Sequence, residues 1–288
     1  MNYFEVLGLT KEPFSTSPDP DFFYLSRDHE KALTNSLIEI RLKRGLSVIL
    51  GDVGTGKTTL SRKLIQELKK RQDIIFHVIF DPSFEDEYSF LDCLVKNFIG
   101  NINNSNHSKI SHLKEYLENF LFQKGVDENK TIVLIIDEAQ KLNSTSLEVL
   151  RVLLNYETNQ FKLLQLLLLG QMEFFSTIVN IPNFFDRISF RYTLNPLDYK
   201  ETKEMIEFRL EKAGYRGKIP LFEDEAIEEI FQVTRGYPRK IIMLCYNALK
   251  KLILDNKPSV DKEIIKEIIS EERKIGWHGI EIHQKKSY

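Results

Sequence analysis

The chain has 288 residues, 42% hydrophobic and 28% charged, a make-up that fits a globular protein and excludes a disordered or fibrous one. With 40 Lys and Arg against 42 Asp and Glu, the formal charge of -2 excludes an overall positive field that would draw the chain onto nucleic acid or anionic lipid, leaving only local basic patches for such contacts. Two cysteines far apart in sequence, Cys93 and Cys245, exclude a disulfide framework, and no run approaches the roughly 18–20 apolar residues of a membrane helix, so a cytoplasmic protein without membrane insertion is expected.

The first residues, Met1-Asn2-Tyr3-Phe4-Glu5, lack the regions of a signal peptide. Aromatics follow at Phe14, Phe22, Phe23 and Tyr24, and with Tyr3 and Phe4 they are expected to pack against the core of the next segment. From Ser47 onward, short aliphatic runs alternate with amphipathic stretches, the pattern of a parallel sheet covered by helices. The strand runs are Ser47–Leu50, Ile74–Phe80, Thr131–Ile136, Leu163–Leu169 and Ser189–Leu194. After Asn195-Pro196-Leu197 the strand signals stop, and helical patterns occupy Thr202–Ala213, Asp224–Thr234, Pro238–Leu254 and Asp261–Arg273. Asn101–Asn106 is a polar loop, and the tail carrying Trp277, His278 and His283 offers no helix-face spacing for a metal.

The strongest motif is Gly51-Asp52-Val53-Gly54-Thr55-Gly56-Lys57-Thr58, lying between a strand and the helical stretch that begins at Thr59. Glycines let such a loop curl until its N–H groups converge on phosphates, and the positive end of the next helix adds to the field. Lys57 is placed to reach the β- and γ-phosphates of ATP, and the Thr58 hydroxyl to bind Mg²⁺. At the end of the third strand run stands Asp137-Glu138. Asp137 suits support of the metal. Glu138 suits acceptance of a proton from an attacking water, although an acidic residue there also suits the first turn of a following helix. Arg187 and Arg191 bracket the start of the fifth run, and either could stabilise charge on a transferring phosphoryl group. Arg239 falls in the first turn of a helix opened by Pro238, where a cation opposes the dipole unless an anion is near.

These residues resemble the AAA+ ATPases of the ExeA and general-secretion-pathway A type, related to transposition ATPases of the TniB kind. The resemblance runs to about Glu272. It is carried by Gly8-Leu9, Pro13-Phe14, Ser17-Pro18-Asp19-Pro20 and Phe23-Tyr24-Leu25-Ser26, then by Gly51–Thr59 and Asp137-Glu138-Ala139-Gln140. Asn155-Tyr156-Glu157-Thr158, Gly170-Gln171, Arg187-Ile188, Arg191 and Gly236-Tyr237-Pro238-Arg239 complete it. It implies an α/β P-loop fold with a five-stranded parallel sheet in the order 5-1-4-3-2 and a C-terminal helical lid. The expected division is an arm and first helix over 1–45, the ATPase core over 46–196, the lid over 197–275 and a flexible tail over 276–288. The resemblance further implies Gln171 as first sensor, in place of the Asn common in AAA+ proteins, Arg239 as second sensor and Arg187 as an inter-subunit finger. Longer members of the family continue into a membrane helix and a peptidoglycan-binding region, so a short form is expected. The implied activity is Mg²⁺-dependent ATP hydrolysis that controls assembly of a homo-oligomer, ring or helix, and remodels a protein partner of secretion, pilus or mobile-element machinery. The alternative is a DNA-associated ATPase of transposition, for which Arg41, Lys43, Arg44, Lys69, Lys70 and Arg71 are the basic clusters.

Overall fold

The computed structural model describes residues 4–16, 19–100 and 109–274. Tyr3, Ser17-Pro18, the loop at Asn101–Asn106 and the tail over 276–288 with Trp277, His278 and His283 lie outside the described residues.

The chain divides into two compact units. One comprises Arg27–Val53 and Leu60–Leu194, the other Met1–Ser26, Gly54–Thr59 and Asn195–Tyr288. In chain order the first unit carries α1 (Arg27–Arg41), β1 (Leu46–Gly51), α2 (Lys57–Lys69, its first turn grouped with the second unit), β2 (Ile74–Ile79), α3 (Glu87–Phe98) and α4 (Ile110–Phe122). It continues through β3 (Thr131–Ile136), α5 (Ser144–Leu153), β4 (Leu164–Gly170), the short α6 (Glu173–Val179) and α7 (Pro182–Phe185), and β5 (Ile188–Leu194). The strands pair in parallel in the order β2-β3-β4-β1-β5, which is the expected 5-1-4-3-2. β1, β3 and β4 are buried at every position, as central strands covered on both faces must be. β5 lies at an edge and alternates between half-buried and exposed residues until its last position. Leucines and isoleucines of the three central strands form one core with Phe90 and Leu94 of α3, Leu117 of α4 and Leu150 of α5.

The second unit carries α8 (Tyr199–Lys212), α9 (Asp224–Thr234), α10 (Pro238–Leu254) and α11 (Lys262–Lys274) around its own core, which includes Ile206, Ile230, Leu244, Leu249 and Ile265. The N-terminal arm belongs to this core. Phe14 and Phe22 are buried in it, Phe4 and Tyr24 pack on it, and Phe14 meets Phe222 edge-on with ring centroids 5.8 Å apart. The expectation that the arm's aromatics join the core of the sheet is therefore corrected: their partners come from the helices beyond Asn195.

Arg209 explains the choice. It sits on the buried face of α8 and donates from Nε to Pro13 O at 2.7 Å, from Nη1 to Phe22 O at 2.9 Å and from Nη2 to Ser15 O at 3.1 Å. Burial pulls the guanidinium down to about 10, so it remains charged at neutral pH and its hydrogen bonds stay charge-assisted. Arg209→Met keeps the aliphatic stem but leaves three arm carbonyls without this donor. It is expected to cost about 3 kcal/mol in chemical denaturation, the scale of losing charged hydrogen bonds to buried acceptors. A loss under about 0.5 kcal/mol, the range of an ordinary surface change, would contradict the clamp. No helix among the described residues is long and apolar enough to cross a membrane.

Candidate functional site

The parallel sheet gathers the C-terminal ends of its strands on one edge, and the candidate residues of β1, β3 and β4 leave from there. After Gly51 the chain turns through Asp52-Val53-Gly54-Thr55-Gly56 and enters α2 at Lys57. Gly54 and Gly56 have φ of +85° and +99°, a left-handed backbone that costs an L side chain about 1–2 kcal/mol. Thr55 and Lys57 are buried, Thr58 and Thr59 half-buried, and Asp52 and Val53 exposed. Because α2 starts at Lys57, the loop ends on the helix's first N–H groups, which lack intrahelical partners.

Arg239 meets this turn. Pro238 opens α10, the Arg239 N–H donates to Gly54 O at 3.3 Å, and a Cβ on Gly54 would stand 3.1 Å from the Arg239 Cβ. Gly236 sets the entry to that helix. Its φ is +75°, its carbonyl accepts the Leu197 N–H at 2.9 Å, and a Cβ there would fall 1.9 Å from Leu197 O. No side chain fits at Gly236 without moving backbone.

Asp137 continues the β3 ladder by donating its N–H to Ile79 O at 2.8 Å, and it is buried, with Oδ1 accepting the Glu138 N–H at 3.0 Å. Glu138 is left-handed, with φ +53° and ψ +39°, and leads into a single 3₁₀ turn at Ala139–Lys141 without capping it. The next α-helix, α5, is capped instead by Asn143. The helix-starting role considered for Glu138 is thus filled by another residue. Its carboxylate Oε2 accepts from Gln140 Nε2 at 2.6 Å.

β4 lies between β3 and β1, so Gln171, leaving β4, stands between the acidic pair and Gly51 at the end of β1. Its N–H donates to Gln140 Oε1 at 3.0 Å, and its Nε2 lies 3.5 Å from Glu138 Oε2. Gln140 belongs to the Asp-Glu-Ala-Gln motif but carries no assigned role in the sequence; only the strand order shows what it joins.

The two arginines lie elsewhere. Arg187 immediately precedes β5 and so stands at the opposite edge of the parallel sheet, where its guanidinium donates to Asn155 Oδ1 at 2.6 Å and to Asn183 O. Asn155 therefore holds Arg187, a partnership the sequence motif does not announce. Arg191 is exposed midway along β5, in register with Val48 and over the Phe185 ring at 5.5 Å. Neither joins the edge that carries Gly51, Asp137 and Gln171. Among the described residues no group of three or more His, Cys, Asp or Glu forms a metal cluster.

A family model described as an AAA domain matches residues 40–178. General secretion pathway protein A of Aeromonas hydrophila is 33% identical over 249 residues, which cover 86% of this chain and 44% of that protein. The chain thus spans less than half the length of that relative. Among solved structures, Cdc6p from Pyrobaculum aerophilum superposes with a TM-score of 0.69 at 15% identity, covering 91% of this chain and 72% of that one. A Drosophila ORC chain, solved bound to DNA, gives 0.66 at 18% identity, covering 94% and 66%. At such identities these likenesses establish the fold. Residues 40–178 are thus similar to an AAA domain, the fold is that of the AAA+ P-loop structures, and most of the chain is similar to general secretion pathway protein A.

Proposed function

We propose that this protein binds ATP and hydrolyses it with Mg²⁺, and that ATP controls its assembly into a homo-oligomer, ring or helix, acting on a protein partner of secretion, pilus or mobile-element machinery. The observation that carries the reading is the convergence, at the C-terminal edge of β1, β4 and β3, of Gly51, where the phosphate-type motif begins, Gln171 and the Asp137-Glu138 pair. β1 and β3 are two strand spacings apart, about 10 Å, enough to admit a phosphate chain between their ends.

In this reading the N–H groups of Gly51–Thr59 grip the phosphates and Lys57 neutralises the β- and γ-oxygens. The Thr58 hydroxyl and Asp137 carboxylate are the donors for Mg²⁺, and their chemistry fits: both are hard oxygen ligands, and an ion that keeps waters and substrate phosphates needs few from protein. When bound, the ion offsets charge developing on the phosphoryl oxygens. Glu138 takes the proton of the attacking water, Gln171 orients the acidic pair, and Arg239, held beside Gly54, answers the γ-phosphate. Arg187, at the far edge of its own sheet and braced by Asn155, is better placed to serve a neighbouring subunit than its own nucleotide. Arg191 is the second candidate for that task. Gel filtration with light scattering should give a larger species with ATP and Mg²⁺ than without; an unchanged mass would contradict ATP-controlled assembly.

One observation favours the DNA-associated alternative. The clusters Arg41, Lys43, Arg44 and Lys69, Lys70, Arg71 precede β1 and β2, so the parallel sheet brings both to the same edge. Lys70 and Arg71 are, however, paired with Glu67 and Asp73, which ranks this reading second.

A further inference from the structure

Both ends of the Gln140 side chain are engaged. Nε2 donates to Glu138 Oε2 at 2.6 Å while Oε1 accepts the Gln171 N–H at 3.0 Å. Chemistry dictates this orientation of the amide, since a carboxylate can only accept and a backbone N–H can only donate. A single side chain therefore ties the acidic end of β3 to the first residue beyond β4. Glu138 needs such a restraint. Its left-handed backbone costs a non-glycine residue about 1–2 kcal/mol, and conformations of that kind persist only where their surroundings over-determine them.

We infer that Gln140 is a positioning residue for ATP hydrolysis: it fixes the Glu138 carboxylate and makes that placement depend on Gln171 at the end of β4. The inference rests on the proposed role of Glu138 as acceptor of the water proton. Gln140 acts through Glu138 and is not itself a catalytic residue. The requirement is specific to an amide of this length. Met fills the same space with neither a strong donor nor a strong acceptor, Glu sets a second carboxylate against the first, and Asn is one methylene short. The arrangement gives Gln171 a route to the base besides its own 3.5 Å approach: any shift of its backbone moves the acceptor end of Gln140, and the donor end moves with it.

The test is steady-state ATPase kinetics on the full chain, with thermal melts, for Gln140→Met, Gln140→Glu, Glu138→Gln and the double variant Gln140→Met with Glu138→Gln. Both single Gln140 variants should lower kcat about 10-fold or more, because misplacing a reacting group by 1 Å costs on the order of 100-fold. KM for ATP should stay within about threefold, a change under 1 kcal/mol. In the Glu138→Gln background the Gln140→Met change should add almost nothing, as coupled residues acting on one step are non-additive. If Gln140→Met melts early, Gln140→Glu decides the outcome through the same readings. The inference is overturned if Glu138→Gln is impaired while a folded Gln140 variant keeps wild-type kcat. Raised KM with unchanged kcat, or a loss repeated in full on Glu138→Gln, would overturn it equally. A wild-type kcat for Glu138→Gln would instead remove the reading beneath it.

Discussion

Lys57→Ala should lower ATP turnover by about 100-fold or more, the scale of removing one preorganised charge-stabilising donor from a transition state. Lys57 is the first residue of α2 and is buried, 6% exposed, at the end of a turn whose Gly54 and Gly56 are left-handed. An ammonium in such a site acts where solvent screens weakly, so its loss is felt more than that of an exposed charge. Nucleotide affinity should fall as well, because the charge serves the bound ground state and the transition state alike. The fold should survive, since Ala is the best helix former. Phosphate release and a melting curve on the same preparation check both statements. Near wild-type turnover in a folded Lys57→Ala protein would contradict the assignment of the turn.

Glu138→Gln should separate binding from chemistry. Gln matches Glu in length, and its carbonyl oxygen can still accept from Gln140 Nε2, so the geometry at the end of β3 is kept while the proton acceptor is lost. Turnover should drop by about 10²- to 10⁴-fold, the usual contribution of a general base, with ATP affinity unchanged within a few-fold. Affinity and single-turnover measurements on this variant check the split. A parallel loss of binding would mean that the carboxylate serves the ground state instead, and would return Glu138 to a structural role.

The two variants differ because Lys57 follows β1 through a glycine turn while Glu138 follows β3, and the sequence makes those points unequally visible. The sheet is legible in runs such as Ile132-Val133-Leu134-Ile135-Ile136, apolar at every position and buried at every position, and the ends of the runs fall within a residue or so of the strands. Run-counting alone does not order the strands; the order follows from the family resemblance and is met by the register of β1 against β4 and β5. Arg209 shows the limit of a local pattern. Its spacing from Met205 and Ile206 places it on the buried face of α8, but the carbonyls that accept from it lie 187 to 196 residues earlier, where no periodicity points. The arm is consequently expected on the wrong core. The left-handed backbone of Glu138 is equally unannounced, since no glycine or asparagine marks it. The Gln140 bridge spans two strand ends and becomes visible only when β3 and β4 are known to be neighbours.

The most direct measurement of the central claim is phosphate release from ATP by the purified chain, with Mg²⁺ and with the metal chelated. The account predicts Mg²⁺-dependent release in the wild type that collapses in both Lys57→Ala and Glu138→Gln, with nucleotide retained by Glu138→Gln. Absence of nucleotide binding in the presence of Mg²⁺, or undiminished release by both variants, would contradict it.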